Sequence, residues 1–194
     1  MGCTWSQEDV VKSAPEKNSP IGEERETKNG SKDKKYPLVG SNMIMKKKSH
    51  GTSKTPVQNN LRWGVDFKTA DRICNYNRHL AEHSGYFRKK HLFLKEIEKC
   101  KQKGKTITFY DSNTGKPLYE APKGRSWDDF LAESRAHGWP SFRDEEVIWD
   151  DMRCLRNGEA VSLAGTHLGH NLPDRNGNRY CINLVSIAGH PIKE

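Results

Sequence analysis

Residues 165–183 constrain the fold of this chain more than any other stretch, because they place two histidines and a cysteine on either side of one tight turn. Asn176 and Gly177 form the dipeptide that a two-residue β-hairpin turn prefers. The run 179–188 that follows alternates along a β-rich pattern. We therefore predict that the chain folds back here and brings Cys181 beside the strand that carries the two histidines.

Cysteine and histidine in one local site indicate nucleophilic or redox chemistry. The thiolate is the reactive form of cysteine, and a neighbouring arginine or protonated histidine lowers the pKa of a thiol. Arg179 and His170 are therefore expected to activate Cys181. The opposing interpretation is structural: a cysteine in an apolar strand is usually an inert buried residue, and a histidine beside glycine often serves only as a hydrogen-bonded structural group. The clustering of these residues favours the functional interpretation.

A metal site is a second interpretation of the same residues, since two histidines and a nearby aspartate are acceptable ligands. No further Cys or His lies at ligand spacing from Cys181, and the chain has no Cys-x-x-Cys pair. The sequence thus favours a site without metal.

Three motifs follow one another in the second half of the chain. They are Gly138-Trp139-Pro140-Ser141-Phe142, then Thr166-His167-Leu168-Gly169-His170 with Pro173-Asp174, and finally Arg179-Tyr180-Cys181-Ile182-Asn183. In this order they resemble the motifs of the methionine-R-sulfoxide reductases of type B, the SelR-domain family. The resemblance extends from about Thr106 to Ala188.

The resemblance implies an oxidoreductase of the oxidative stress response that converts methionine-R-sulfoxide, free or in proteins, to methionine. Cys181 would attack the sulfoxide sulfur and become a sulfenic acid. No bound cofactor is expected, and an external thiol such as thioredoxin or glutathione would reduce the sulfenic acid. The implied catalytic residues are Cys181, His170, Asp174 and Arg179. The implied substrate-binding residues are Trp139, Phe142, His167 and Asn183.

Two departures from the family pattern bear on zinc binding and on the recycling step. Many relatives hold a structural zinc with two Cys-x-x-Cys pairs, whereas the corresponding positions here read Asp-Ser-Asn-Thr at 111–114 and Ser-Leu-Ala-Gly at 162–165, so we expect a zinc-free member. His137 stands where many relatives carry a resolving cysteine. Cys74, Cys100 and Cys154 are the other thiols of the domain that could resolve the sulfenic acid. Cys154 is favoured, because the arginines at 153 and 156 would favour its thiolate. The alternative is that all three are spectators and an external thiol does the work.

A catalytically silent module of the same fold is the alternative. It would use Trp139 and His170 to bind a sulfoxide or another small polar ligand, without chemistry at Cys181.

The N-terminal third of the chain has a different composition. Residues 1–59 contain few large apolar side chains and many charged ones, so we expect a disordered basic tail. The hexapeptide Met-Gly-Cys-Thr-Trp-Ser fits N-myristoylation at Gly2, with palmitoylation at Cys3. The lysines of the tail, in a chain of net charge +8, would add attraction to an anionic membrane surface. We expect no nucleic-acid binding, because no aromatic residues alternate with these lysines.

These features predict a cytoplasmic protein anchored by N-terminal acylation to the cytoplasmic face of a membrane. The odd number of cysteines, five in all, fits a reducing compartment.

The periodicity of the remaining chain predicts a mainly β fold with α helices. Residues 60–104 are expected to be helical, with helices over about 66–85 and 88–101. Residues 105–194 are expected to form a compact antiparallel β domain, like that of the type B reductases, with peripheral helices. Its predicted strands cover 106–110, 117–120, 146–149, 159–163 and 179–188, and a helix runs from a cap at Ser126 to Gly138.

Overall fold

The computed structural model describes residues 35–192. Seven strands lie in this range: β1 Ile107–Tyr110, β2 Pro117–Ala121, β3 Ser141–Phe142, β4 Met152–Cys154, β5 Glu159–Ser162, β6 His167–Asn171 and β7 Tyr180–Ile182. β1 and β2 form an antiparallel hairpin, and the other five form an antiparallel sheet in the order β3-β7-β6-β5-β4. The fold class, antiparallel β with a few helices, is as predicted. Between residues 35 and 192 no helix is long and apolar enough to cross a membrane.

Three α helices accompany the sheets: α1 Phe67–Asp71, α2 His91–Gln102 and α3 Trp127–His137. A π-helical turn, Arg72–Tyr76, continues α1, and short 3₁₀ turns cover Asn42–Met45, Arg62–Gly64, Tyr86–Lys89, Asp144–Glu146 and Leu184–Ser186. The prediction for α3 is confirmed. Ser126 and Asp129 form a reciprocal capping box, and Gly138 ends the helix at a φ of 89°, a conformation that favours glycine.

The first predicted helix is too long, because the chain leaves helical geometry at Asn77. The Asn77 side chain accepts a hydrogen bond from the N–H of His79 at 3.1 Å, which replaces the next helical turn. Residues 78–84 form a loop instead, and this loop reaches the sheet: the N–H of Glu82 donates to the side chain of Asn183 at 3.2 Å.

Two predicted strands were also wrong in part. In place of the strand predicted over 146–149, the 3₁₀ turn Asp144–Glu146 is followed by a single bridge between Val147 and Tyr119. The strand predicted over 179–188 ends at Ile182. The backbone N–H groups of Leu184 and Val185 donate to the carboxylate of Glu82, at 2.9 and 3.0 Å, rather than to a neighbouring strand.

Disorder was predicted as far as residue 59, and this is wrong for residues 35–59. Here the chain adds to the outer edge of β4: the N–H of Gly40 donates to the carbonyl of Cys154, and the N–H of Cys154 donates to the carbonyl of Leu38. Met45 and Val57 are buried. The segment is ordered because it covers a sheet edge that would otherwise be unpaired. The acylation sites predicted at Gly2 and Cys3 lie outside the described residues.

Phe142 lies at the centre of the core, where the β1–β2 hairpin, α3 and the five-stranded sheet meet. Its ring lies 4.3 Å from that of Tyr119, 5.1 Å from that of Phe109 and 5.3 Å from that of Phe130. The side chain is fully buried. The predicted role of Phe142 in substrate binding is therefore wrong, because the residue points into the core.

Candidate functional site

A cavity of about 250 Å³ opens over β6 and β7. Pockets for drug-sized ligands measure roughly 300–1,000 Å³, so this one suits a single side chain or a small molecule. It is lined by His79, Leu80, Ala81, Trp139, His167, Gly169, His170, Leu172, Cys181 and Asn183. Five of the residues that the motifs singled out therefore share one cavity: Trp139, His167, His170, Cys181 and Asn183.

Cys181 and His170 are direct partners across the β6–β7 pair. Residues opposed in this way lie on the same face of a sheet with Cβ atoms about 5 Å apart. The predicted hairpin is thus confirmed, and it brings the cysteine beside the histidine strand. Gly169 permits this close approach, because a Cβ atom there would lie 2.1 Å from the carbonyl oxygen of Cys181.

Burial raises the pKa of the Cys181 thiol above its ordinary value, and the buried carboxyl of Glu82 adds to this effect. The Arg179 guanidinium acts in the opposite direction but does not outweigh burial. Arg179 thus lowers the thiol pKa as predicted, but burial outweighs it, and the thiol form is favoured in this conformation. Arg179 itself is 8% exposed, and its Nε and Nη1 atoms have no hydrogen-bond partner among residues 35–192.

His167 is buried and bonded to a carboxylate. Its Nδ1 lies 2.8 Å from Oε1 of Glu159 on β5. Burial alone would raise the pKa of Glu159, but hydrogen bonds from His167 and Arg78 have the larger effect in sum and lower it to about 2. Because an ionised carboxylate only accepts hydrogen bonds, Nδ1 of His167 carries the proton of this pair. His167 is therefore held in one tautomer.

His170 is half-buried, and its ring centre lies 5.5 Å from that of His167. Burial, followed by the charge of His167, lowers the pKa of His170 below its ordinary value. These effects favour the neutral imidazole form of His170. The two histidines of the motif differ in charge environment although they share the cavity.

The loop over 78–84 forms the rest of the cavity wall. Nε1 of Trp139 donates to the carbonyl of Glu82 at 3.0 Å, which fixes the indole against the loop. The side chain of Asn183 is buried, and both of its polar atoms are used internally: its amide donates to the carbonyl of Leu168 at 3.1 Å, and its oxygen accepts from the N–H of Glu82. Asn183 therefore braces the cavity through the backbone.

Asp174 does not line the cavity. It lies in the exposed turn between β6 and β7, where Arg143 donates to both of its carboxylate oxygens at 2.9 and 3.1 Å. These hydrogen bonds lower the pKa of Asp174 to about 2. Nε of Arg179 approaches the same carboxylate at 3.4 Å. The predicted catalytic role for Asp174 lacks support here, because the residue belongs to a surface ion pair.

Cys154 is also separated from the cavity, and its prediction as a resolving thiol is wrong in this structure. It lies on β4, three strands from β7, or about 14 Å at the usual strand spacing. Cys154 pairs with Ala160, Ala160 pairs with Gly169, and Gly169 pairs with Ile182. Cys154 therefore lies on the same face of the sheet as Ile182, whereas Cys181 lies on the other face. Burial, with a smaller contribution from Asp144, raises the pKa of Cys154 to about 12. A disulfide requires Cα atoms about 4–7 Å apart.

The turns at 111–114 and 162–166 lie against each other. The hydroxyl of Thr166 donates to Oδ1 of Asp111 at 2.8 Å and lies 3.2 Å from Oδ1 of Asn113. Hydrogen bonds thus join the two turns. Elsewhere, Glu133, His137 and Asp174 lie close enough to offer ligands to an ion, but Arg143 already bridges both carboxylates.

Sequence reasoning missed Arg78, Glu82 and Glu159. Glu159 had a detectable signal, since it is an acidic residue at the start of the run 159–163 that was predicted as a strand. Arg78 and Glu82 had none, because they lie outside the motifs and reach the site only through tertiary contacts.

Compared with protein-family models and with curated protein sequences, the chain matches none. The resemblance to the reductases therefore depends on the three sequence motifs.

Proposed function

We propose that this protein is a thiol-dependent methionine-R-sulfoxide reductase with Cys181 as its nucleophile. The observation that carries the proposal is the direct pairing of Cys181 with His170 in a cavity walled by Trp139. An indole beside a small cavity offers an apolar surface to a methyl group, while the histidines offer polar contacts to an S–O group. Both features suit the side chain of methionine sulfoxide.

The chemistry balances without a bound cofactor. Sγ of Cys181 forms a bond to the sulfoxide sulfur, and the sulfoxide oxygen is protonated as its bond to that sulfur weakens. The S–O bond breaks, and the hydroxyl group passes to Sγ of Cys181 to give a sulfenic acid. The bond between Sγ and the substrate sulfur breaks in turn, and methionine leaves with its electron pair. The sulfur of the substrate is reduced, and the sulfur of Cys181 is oxidised.

In this proposal an external thiol reduces the sulfenic acid of Cys181. Two thiol molecules return the sulfenic acid to the thiol, and the products are one disulfide and one water. Cys74 and Cys154 are buried, and Cys100 is partly exposed on α2. Thioredoxin or glutathione would supply the thiols.

The antiparallel sheet supports membership of the type B reductase fold. So does the contact between the turns at 111–114 and 162–166, because a structural zinc would join the corresponding turns in the metal-binding relatives. In this chain Asp111, Asn113 and Thr166 would take over that role through hydrogen bonds.

A catalytically silent binding module is the second candidate, and one observation favours it. The raised pKa of Cys181 leaves little thiolate at neutral pH. A cavity with Trp139 and two histidines could then bind a small polar ligand without reacting with it.

The two functions are separated by reducing the R and S epimers of a methionine sulfoxide peptide with the full chain and dithiothreitol. The reductase proposal expects turnover of the R epimer that disappears in Cys181→Ser and persists in Cys100→Ser, the matched control with another partly exposed thiol. Circular dichroism checks that each variant is folded. A folded wild-type protein that reduces neither epimer, yet binds the peptide in calorimetry, would establish the binding module.

A further inference from the structure

Arg78 lies in the loop that follows α1 and its π-helical turn, outside the segment that carries the reductase motifs. Its guanidinium reaches across to β5, where Nε lies 3.0 and 3.1 Å from the two carboxylate oxygens of Glu159. Nη2 donates to one of these oxygens as well. This two-point geometry fixes both the position and the orientation of the carboxylate.

Glu159 is 2% exposed, so its charge depends on its partners. Arg78 supplies one partner, and the Nδ1–H of His167 supplies the other at 2.8 Å. Among the described residues, Nε2 of His167 has no hydrogen-bond partner, and the ring lines the cavity. Arg78, Glu159 and His167 thus form a chain that begins at the protein surface and ends in the cavity.

We propose that Arg78 and Glu159 are positioning residues that make His167, rather than His170, the proton-transferring residue of the cavity. The inference rests on the proposed reductase function. A proton taken from the thiol of Cys181 onto Nε2 leaves an imidazolium whose Nδ1–H points at an ionised carboxylate, which stabilises the cation. The same proton then passes to the departing sulfoxide oxygen, so charge and atoms balance.

The charged and titratable groups around His167 agree with this assignment. Glu159 contacts the ring directly, and Arg78 holds Glu159 in its ionised form. His170 and His79 stand at the same cavity, and each would repel a cation if it were protonated. His170 has no carboxylate bonded to its ring among residues 35–192, whereas the ring of His167 is bonded to Glu159.

The first test is nuclear magnetic resonance of the full chain with ¹⁵N-labelled histidine, in which His167→Gln identifies the signals of His167. We expect the wild-type ring to carry its proton on Nδ1. Glu159→Leu removes the acceptor and should abolish this preference. Arg78→Met should weaken it, whereas Arg72→Met, a matched control at an exposed arginine, should leave it unchanged. A tautomer that is insensitive to both Glu159→Leu and Arg78→Met overturns the proposal.

The second test is kinetic. Glu159→Gln keeps an acceptor for Nδ1–H but removes the negative charge. We expect kcat for the R epimer to fall about 10- to 100-fold, the usual loss when the hydrogen-bonded partner behind a functional histidine is removed, with KM unchanged. The basic side of the kcat profile should move to lower pH. Arg78→Lys should recover part of the rate that Arg78→Met loses. An unchanged kcat in Glu159→Gln would overturn the assignment.

The two tests also separate this inference from the reductase proposal. If the wild-type protein reduces neither epimer, the reductase proposal fails, and the nuclear magnetic resonance experiment still decides whether Arg78 and Glu159 position His167. If Glu159→Gln does not fold, Arg78→Met carries the kinetic test, because the Arg78 side chain is 35% exposed and tolerates replacement more readily.

Discussion

Glu82 joins the loop over the cavity to the end of β7, and its ionisation should make the folded protein less stable as the pH rises. The side chain is 4% exposed, and its two oxygens accept the N–H groups of Leu184 and Val185. Burial raises the pKa of the carboxyl to about 7, although both hydrogen bonds oppose the shift.

The size of the effect follows from the difference between the folded and unfolded pKa. Between the ordinary value of 4.5 and about 7, the folded protein retains a proton on Glu82 that the unfolded chain has released. The native state then binds more protons than the unfolded chain. The contribution of Glu82 to stability is therefore fully present below pH 4.5 and is lost as the pH rises through 7. Each pH unit costs up to about 1.4 kcal/mol, which gives roughly 2.5 kcal/mol between pH 5 and pH 8.

Urea denaturation of the full chain at several pH values measures this contribution. Glu82→Gln cannot ionise, but it leaves one backbone N–H without an acceptor, at a cost of about 1–3 kcal/mol at every pH. The wild-type protein should be the more stable at pH 5, and its advantage should shrink by about 2.5 kcal/mol by pH 8. The contributions of Glu159 and Asp174 are common to both proteins and cancel in the difference.

Glu98→Gln is the matched control, since Glu98 is exposed on α2. Its stability difference from the wild-type protein should not vary with pH. A constant difference between the wild-type protein and Glu82→Gln from pH 5 to pH 8 would refute the reasoning, because it would mean that Glu82 ionises in the folded state as it does in the unfolded state.

Three further substitutions test the placement of individual residues. Phe142→Ala should lower the free energy of unfolding by about 3–5 kcal/mol in urea, as for a large core side chain; a normal stability with a raised KM would instead place Phe142 at the substrate. Cys154→Ser should leave turnover with dithiothreitol unchanged, and mass spectrometry of the oxidised wild-type chain should find no Cys154–Cys181 disulfide; finding that bond would restore Cys154 as the resolving thiol. Ser126→Ala should cost about 1 kcal/mol through loss of the cap of α3, measured by thermal denaturation, and an unchanged Tm would contradict the capping role.

Local signals predicted several elements correctly. Ser126 and Gly138 marked the two ends of α3, because capping depends on residues that are neighbours in sequence. Asn176 and Gly177 predicted a tight turn between β6 and β7, and a tight turn is there, closed by Asp174 and Gly177. The turn is centred on Arg175 and Asn176, one residue earlier than the dipeptide indicates, and this position brings Cys181 opposite His170.

Local signals failed where a distant group replaced a local partner. The run after Ile182 has a strand pattern, but the carboxylate of Glu82, about one hundred residues earlier, takes the N–H groups of Leu184 and Val185. The segment 35–59 has the composition of a disordered tail, yet the open edge of β4 orders it. In both cases the deciding hydrogen bond comes from another part of the fold.

The sequence alone determined that a hairpin would bring Cys181 to the strand of the two histidines. His167 lies three residues from His170 and would fall on the other face of a regular strand, so it reaches the same cavity only through the irregular pairing of β5 with β6. Only the tertiary structure decided how these residues differ. Phe142 and Cys154 were removed from the site because strand pairing placed both on the opposite face of the sheet from Cys181. The loop over 78–84 supplied Arg78 and part of the cavity wall. Burial and ion pairing set the charges of the site, and both depend on which distant residues the fold packs together.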